Sequence, residues 1–374
     1  MDNHKEHIPG TPILDEEISE TAMLEYIYET PVVLKRILED RKNITKPFVV
    51  EFLNRKITGI QIIGSGTSFH GGYAAQGFLE KILNIPVCAS YPIPFKDTKI
   101  TVNEKTIVIG ISQGGESLST VHGIDYAKSK GCYTVALTGN DEGFRLSEHA
   151  DMTILLSCGI EYAGPKTKGY QSTILILILL GVELALEQGK ITNTEYNDII
   201  SRLNKTIDNQ HNVIKSSEEW YARNRDELIK SRRIILVGYE ANYANVLEGR
   251  LKIQEAVRYG VEGYELEEFM HGIYHSIDKD VFLFYLASKG NYTDRIIKLE
   301  EFLSVYTEHS FLIGNIGKSK NQKTLSVNFV DDYDFSIFEY ILPLQCVAYY
   351  LSKDLGINPN ISKIANFHYL MGSK

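Results

Sequence analysis

Short apolar runs at 60–63 and 106–111 each end in a glycine- and hydroxyl-rich turn that opens a helical stretch. The first turn is Gly64-Ser65-Gly66-Thr67-Ser68, ahead of a helix over 69–83. The second is Ser112-Gln113-Gly114-Gly115-Glu116-Ser117, ahead of a helix over 117–130. Further strands are predicted at 86–91, 133–138 and 152–156, followed by a long helix over 165–187. Strands alternating with helices of this length build βαβ units and a doubly wound, mostly parallel sheet flanked by helices. A polar helical stretch over 192–230 carries a sparse apolar stripe of Ile199, Leu203, Ile207 and Val213. The alternation then restarts, with strands at 234–238, 281–286, 310–314 and 325–330 and helices at 243–259, 293–306 and 336–354. The expected class is therefore α/β with two such sheets, although the halves share little sequence.

The predicted division runs 1–44 (tail and first helices), 45–190 (first domain), 191–230 (helical connector), 231–355 (second domain) and 356–374 (C-terminal tail). Residues 1–16 read as a loose tail. From 17 to 41 the apolar spacing of Met23, Ile27, Val33 and Ile37 is helical, with a break between two helices expected at Pro31.

A chain of 374 residues suffices for two domains that each bury a core. The net charge of −9 opposes a nucleic-acid footprint, which needs clustered Lys and Arg. An anion site would have to be made positive locally, by backbone donors and helix dipoles. Cys88, Cys132, Cys158 and Cys346 have no C-x-x-C spacing and read as reduced, mostly buried thiols of a cytoplasmic protein. The polar start, Met1-Asp2-Asn3-His4-Lys5-Glu6, lacks the apolar core of a signal peptide. The longest apolar run, 174–182, is under half a membrane span and ends at Glu183, so it reads as a buried helix rather than an anchor. Neither a membrane nor a nucleic-acid partner is expected.

Adjacent strand ends in a parallel sheet would bring the two turns together at its carboxyl edge. There, free N–H groups, hydroxyls and helix dipoles favour an anion, and a small phosphorylated molecule is the natural guest. Many glycine turns after strands bind nothing; two in one domain, both bearing hydroxyls, make the stronger case. Gly64-x-Gly66-x-x-Phe69 lacks the third glycine of the dinucleotide fingerprint, and neither G-x-x-x-x-G-K-[ST] nor G-x-S-x-G occurs. No cofactor is expected.

Glu248, Lys252 and Glu255 fall at i, i+4 and i+7 of the predicted helix over 243–259 and share one face. They form either a solvated ion-pair stripe or a carboxylate base beside a lysine that keeps it ionised. His271 and His275, four apart, allow a shared metal on a helix. Gly272 weakens that helix, no H-E-x-x-H pattern is present and no third ligand is evident, so no metal is expected.

Together these segments resemble the sugar-isomerase (SIS) domain family, above all the isomerase half of glucosamine-6-phosphate synthase and the sugar-amine phosphate deaminases and deglycases. The resemblance runs from about residue 20 to 363 as a tandem of two SIS domains. Tyr26-Ile27-Tyr28-Glu29-Thr30-Pro31 is similar to E-I-x-E-Q-P, and the two turns resemble the family's phosphate turns, the second written S-Q-S-G-E-T. Leu247-Glu248-Gly249-Arg250-Leu251-Lys252-Ile253-Gln254-Glu255 resembles L-E-G-A-L-K-L-K-E, and Glu268-Phe269-Met270-His271-Gly272 resembles E-L-K-H-G. Glu161-Tyr162-Ala163-Gly164-Pro165-Lys166-Thr167-Lys168 is similar to the segment that closes the sugar pocket.

The resemblance implies Glu255 as the base moving a proton between C1 and C2 of an open-chain sugar phosphate, and Lys252 as the residue that orients the substrate or that base. It implies His271 as the ring-opening residue, reaching the site from a neighbouring subunit of a homodimer. It implies Ser68, Ser112, Gln113, Gly114 and Ser117 around the phosphate, Thr67 lining the turn, and Gly164 and Lys166 by the pocket. Gly114 replaces a serine of the family turn and Ile273 the proline of H-G-P. Pro359-Asn360-Ile361-Ser362-Lys363 is one residue shorter than P-R-N-L-A-K, whose lysine lies over the sugar; Lys363 is the matching residue. No glutaminase segment with a leading cysteine precedes the match, so the chain is not expected to draw ammonia from glutamine itself. The expected activity is that of a phosphosugar aldose–ketose isomerase or deaminase acting on an amino-sugar or ketose 6-phosphate. A deglycase of fructosamine 6-phosphates and a non-catalytic sugar-phosphate sensor stand as alternatives.

Overall fold

The computed structural model describes residues 18–98, 100–139, 145–315, 321–364 and 366–373. The tail predicted over 1–16 lies outside them. Two helices lead in, α1 (Ala22–Glu39) and α2 (Arg41–Asn54). The first half continues β1 (Gly59–Ile63), α3 (Thr67–Leu83), β2 (Val87–Ser90), α4 (Pro92–Asp97), β3 (Thr106–Ser112), α5 (Leu118–Ser129), β4 (Tyr133–Thr138), α6 (Arg145–His149) and β5 (Met152–Leu155). Helices α7 (Lys168–Glu187) and α8 (Asn193–Leu228) connect to the second half. That half comprises β6 (Ile234–Gly238), α9 (Asn242–Val257), β7 (Val261–Glu265), α10 (Leu266–Phe269), β8 (Phe282–Leu286), α11 (Thr293–Leu303), β9 (Ser310–Ile313), β10 (Thr324–Leu325), α12 (Ile337–Asp354) and α13 (Phe367–Leu370).

Among the described residues the strands form two five-stranded sheets, ordered β2-β1-β3-β4-β5 and β10-β9-β8-β6-β7, with every pairing parallel. Their central strands are apolar runs buried on both faces, as expected where helices cover both sides. One apolar core runs through α1, α7, α8, α9 and α12 and touches both sheets, so the halves are welded rather than linked. Helix α7 is the centre of that weld: 174–182 is buried throughout, against α1, α2 and α3. By length and composition it is one helix long and apolar enough to cross a membrane, yet 94% of it is buried inside the chain. Helix α8 begins in a capping box between Thr192 and Glu195 and buries Leu203, Ile207, Val213 and Trp220 on one face.

Two expectations fail, and one strand was not anticipated. Helix α1 runs straight through Pro31 and stops at Asp40 instead. A mid-helix proline costs about 3 kcal/mol, but Met23, Ile27, Leu34 and Ile37 on both sides of it are fully buried against α7 and α8. That burial outweighs the lost bond. The strand expected over 325–330 shrinks to Thr324–Leu325, because the Val330 and Asp331 N–H groups donate to the Glu339 carboxylate instead of a neighbouring strand. Strand β7, Val-Glu-Gly-Tyr-Glu, has no apolar run to announce it and forms as the edge partner of β6.

Candidate functional site

Ile63 pairs with Gly110, so the turns that follow β1 and β3 lie side by side at the carboxyl edge of the first sheet. Gly66 (φ +56) and Gly115 (φ +68) take left-handed conformations that side chains rarely adopt. Ser117 is the N-cap residue of α5, and its hydroxyl meets those of Thr120 (3.0 Å) and Ser119 (3.3 Å). The hydroxyls of Ser68 and Ser112 have no hydrogen-bond partner among the described residues. A Cβ at Gly114 would meet nothing within 4 Å, so this position is open. The Leu118 N–H, the first of α5, donates to the Ser373 carbonyl at 3.2 Å, which brings the C-terminal segment onto the second turn.

Gln113 points away from the turn. Its Nε2 donates to Glu161 Oε2 at 2.7 Å. Glu161 is a buried carboxylate that caps α7 from outside, accepting from the N–H groups of Thr167 (2.9 Å), Lys168 (3.1 Å) and Gly169 (2.9 Å) and from the Thr167 hydroxyl (3.0 Å). A negative charge belongs at a helix N-terminus. Lys166 Nζ donates to the carbonyls of Glu161 (2.5 Å) and Ala163 (3.0 Å), curling the segment that contains Gly164. Lys168 Nζ pairs with Glu29 at 2.6 Å over the Tyr26 ring, tying this segment to α1.

From the second half, α9 crosses the start of α3. Glu248 and Lys252 are not a solvated stripe: both are buried, at 0% and 1% exposure. Glu248 accepts from the Thr67 hydroxyl (3.0 Å), meets His70 Nδ1 (2.7 Å) and lies 3.5 Å from Lys252 Nζ. Lys252 pairs at 2.7 Å with Glu255, whose side chain is 37% exposed. Burial alone would push the Glu248 carboxyl up; Lys252, His70 and Thr67 together hold it below its ordinary value. Burial would likewise lower Lys252, but Glu248 and Glu255 keep it above the usual lysine value. The result is a buried carboxylate–ammonium pair extended by a third member, Glu255, which meets solvent.

The remaining predicted residues stand apart. His271 follows α10; its side chain is 70% exposed and lies 3.7 Å from Glu267, with no recorded contact to Lys252 or Glu255. His275 sits on a short 3₁₀ turn, and no group of metal-ligating side chains occurs among the described residues. Lys363 is exposed. The segment before it is held by Arg258, the left-handed residue that ends α9, through the carbonyls of Asn358 (3.1 Å) and Ile361 (2.8 Å). His70, Glu161 and Arg258 are the contributors that motif reading missed. Glu161 had one local signal, an acid a few residues ahead of an apolar helix. His70 and Arg258 had none.

The family profile described as the SIS domain matches residues 55–182. A crystal structure from Clostridium difficile 630, provisionally named a phosphosugar isomerase, is 34% identical, with a TM-score of 0.88 over 94% of this chain and 98% of that one. This chain belongs to the SIS-domain family. A second structure, provisionally named a sugar-binding protein from Salmonella typhimurium LT2, is 31% identical, with a TM-score of 0.81 over 88% of this chain and 99% of that one. The glutamine–fructose-6-phosphate aminotransferase of Methanococcus maripaludis is 30% identical over 352 residues, 91% of this chain but 55% of that protein. The chain thus spans about half the length of the curated relatives it matches. The profile match covers the first sheet, and the structural likeness over 94% of this chain extends to the second.

Proposed function

We infer that this SIS protein is a cytoplasmic phosphosugar isomerase or deaminase acting on an amino-sugar or ketose 6-phosphate. The observation that carries the reading is the buried Lys252 holding Glu255 at 2.7 Å while Glu248 anchors the same helix to the first turn. In an aldose–ketose interconversion a carboxylate removes a proton from one of C1 and C2 and returns it to the other, through an enediol or enolamine. Glu255 is the base. Lys252 pairs with it and fixes its carboxylate in one orientation. The phosphate is held by the free hydroxyls of Ser68 and Ser112, by Ser117 and by backbone N–H groups at open Gly114. Gln113 acts indirectly, shaping the turn through Glu161. Gly164 and Lys166 form the wall by α7, and Lys363 approaches from the C-terminal segment. His271, exposed and paired only loosely with Glu267, opens the sugar ring in the site of a partner subunit of a homodimer.

The test is wash-in of solvent deuterium at C1 or C2 of fructose 6-phosphate and glucosamine 6-phosphate, with ammonia release followed in parallel. Glu255→Gln is expected to abolish exchange while phosphosugar binding stays within about twofold, because Gln keeps the shape and loses the base. Exchange at the wild-type rate in this variant sinks the assignment. Amino-acid release from fructosamine 6-phosphates, with no exchange on the other sugars, replaces it by the deglycase reading.

A further inference from the structure

The second sheet repeats the carboxyl-edge geometry of the first. Val237 of β6 pairs with Tyr285 of β8 as Ile63 of β1 pairs with Gly110 of β3. In this register Gly238-Tyr239-Glu240 stands where Gly64-Ser65-Gly66 stands, and Ser288 takes the place of Gln113. The left-handed position of the two turns is filled by Gly66 (φ +56) in one and by Glu240 (φ +50) in the other. A glutamate is strained there, and such outliers persist where the surroundings enforce them. Glu240 Oε1 accepts from Asn291 Nδ2 at 3.0 Å, and its Oε2 lies against Gly290, where a Cβ would come within 2.6 Å. The first turn leaves its anion site open. The second carries a carboxylate of its own, and a phosphate would be repelled.

Beside that carboxylate lies a cavity of about 420 Å³, roofed by Tyr73, Gly77 and Phe78 of α3 and floored by Glu240, Asn242 and Ser288. Ser288 is 3% exposed. Its carbonyl is taken by Tyr239 and Thr293, but its hydroxyl has no hydrogen-bond partner among the described residues. A buried hydroxyl on an open cavity is a vacant recognition group. Lys289 and the Lys81–Asp334 pair (2.8 Å) also line the space, so with Glu240 the charges balance at two of each sign. Tyr73 and Tyr333 add aromatic faces. The volume suits a small molecule, and the place is the crevice beyond the carboxyl ends of parallel strands.

We propose that this cavity is a second ligand site, taking an uncharged polyhydroxylated molecule of the size of a free, unphosphorylated hexose. Charge balance disfavours a net anion, Glu240 and Ser288 accept and exchange hydroxyl hydrogen bonds, and the tyrosine rings cover C–H faces. The site lies between α3 of the first half and the carboxyl edge of the second sheet, and does not depend on the reaction assigned above.

Isothermal titration of the full chain with D-glucose, D-fructose, D-galactose and inorganic phosphate tests it. A Cβ at Gly77 would meet nothing within 4 Å, so in Gly77→Phe the ring enters the cavity, and a helix-interior glycine is replaced by a better helix former. At least one hexose is expected to bind the wild type saturably, to lose that binding in Gly77→Phe, and to bind Ser288→Ala roughly fivefold to tenfold more weakly. Phosphate binding is expected to be the same in all three. The proposal is overturned if no hexose binds saturably, if binding survives Gly77→Phe, or if phosphate displaces the hexose competitively.

Discussion

Removing the Lys252 ammonium tests the ionic row directly. In Lys252→Met, Glu248 keeps Thr67 and His70 but loses the one lysine facing it inside a fully buried site. Leaving one member of a buried ion pair uncompensated costs about 3–5 kcal/mol. Little of this comes from Glu255, which meets water. Cooperative unfolding of 374 residues carries about 0.8 kcal/mol per degree, so the melting temperature should fall by about 4–6 °C. The pH dependence gives the sign. Glu248 sits below its ordinary value, so its stabilising contribution is complete above the usual carboxylate range and is lost as pH falls through the depressed value. Lys252 sits above its ordinary value, so its contribution is complete below the usual lysine range and is lost as pH rises through the raised value. The wild type should therefore show a broad plateau between the two. In Lys252→Met the alkaline loss attributable to Lys252 disappears, and burial moves the Glu248 carboxyl up, so the acid-side fall begins at higher pH. Adding Glu248→Gln removes the stranded charge and should recover most of the loss, since a neutral replacement of a buried pair is often tolerated. Calorimetry across pH on the single and double variants measures all of this. A single variant losing under about 1 kcal/mol, or a double variant no more stable than the single, refutes the assignment of a buried, charged pair.

Ser112→Ala should weaken phosphosugar binding by about 1–3 kcal/mol without a change in melting temperature, because its hydroxyl has no partner among the described residues; unchanged affinity by titration counts against the turn. Deleting 366–374 frees the Leu118 N–H from the Ser373 carbonyl, and affinity for inorganic phosphate should rise. A fall would mean that the segment assists binding rather than competing with it. Arg202→Ala takes the guanidinium from Asp332 and Asp334, which it grips at 2.7 and 2.8 Å, leaving Asp334 its Lys81 partner, and should cost about 2 kcal/mol in chemical denaturation.

The features legible in the sequence were those with local causes. Strands β1, β3, β4, β6 and β8 announce themselves as apolar runs ended by glycine turns, and their helices follow at the expected spacing. Strand β7 was hidden because an edge strand whose residues are mostly half-buried needs little apolar content. The Pro31 break was expected from local chemistry and cancelled by packing on both sides of it. The site follows the same rule. Spacing places Glu248, Lys252 and Glu255 on one face of α9, but whether that face is wet depends on what covers it. The cover is Thr67 and His70, from a helix far upstream, and no periodicity within α9 could announce them. Gln113 likewise matched a turn motif, while its direction is set by Glu161 across the sheet edge.

The Thr67 hydroxyl has a single proton, and in this structure Glu248 takes it. A phosphate on the first turn can accept from Ser68, Ser112 and backbone amides, but to accept from Thr67 it would have to break the bond that anchors α9. Two neighbouring hydroxyls on one turn are therefore divided between two tasks: Ser68 is free to meet the ligand, and Thr67 holds the helix carrying the proposed base. In the proposed reaction Glu248 takes no part in the proton transfer; by tying the first turn to α9 it fixes the distance between that turn and Glu255 of the other half. In the proposed reaction that distance must match the span from the phosphate to C1 and C2 of an extended sugar. The weld between the halves would then act as the ruler of the active site, which gives a physical reason for burying a charged row where apolar packing would have served stability equally well.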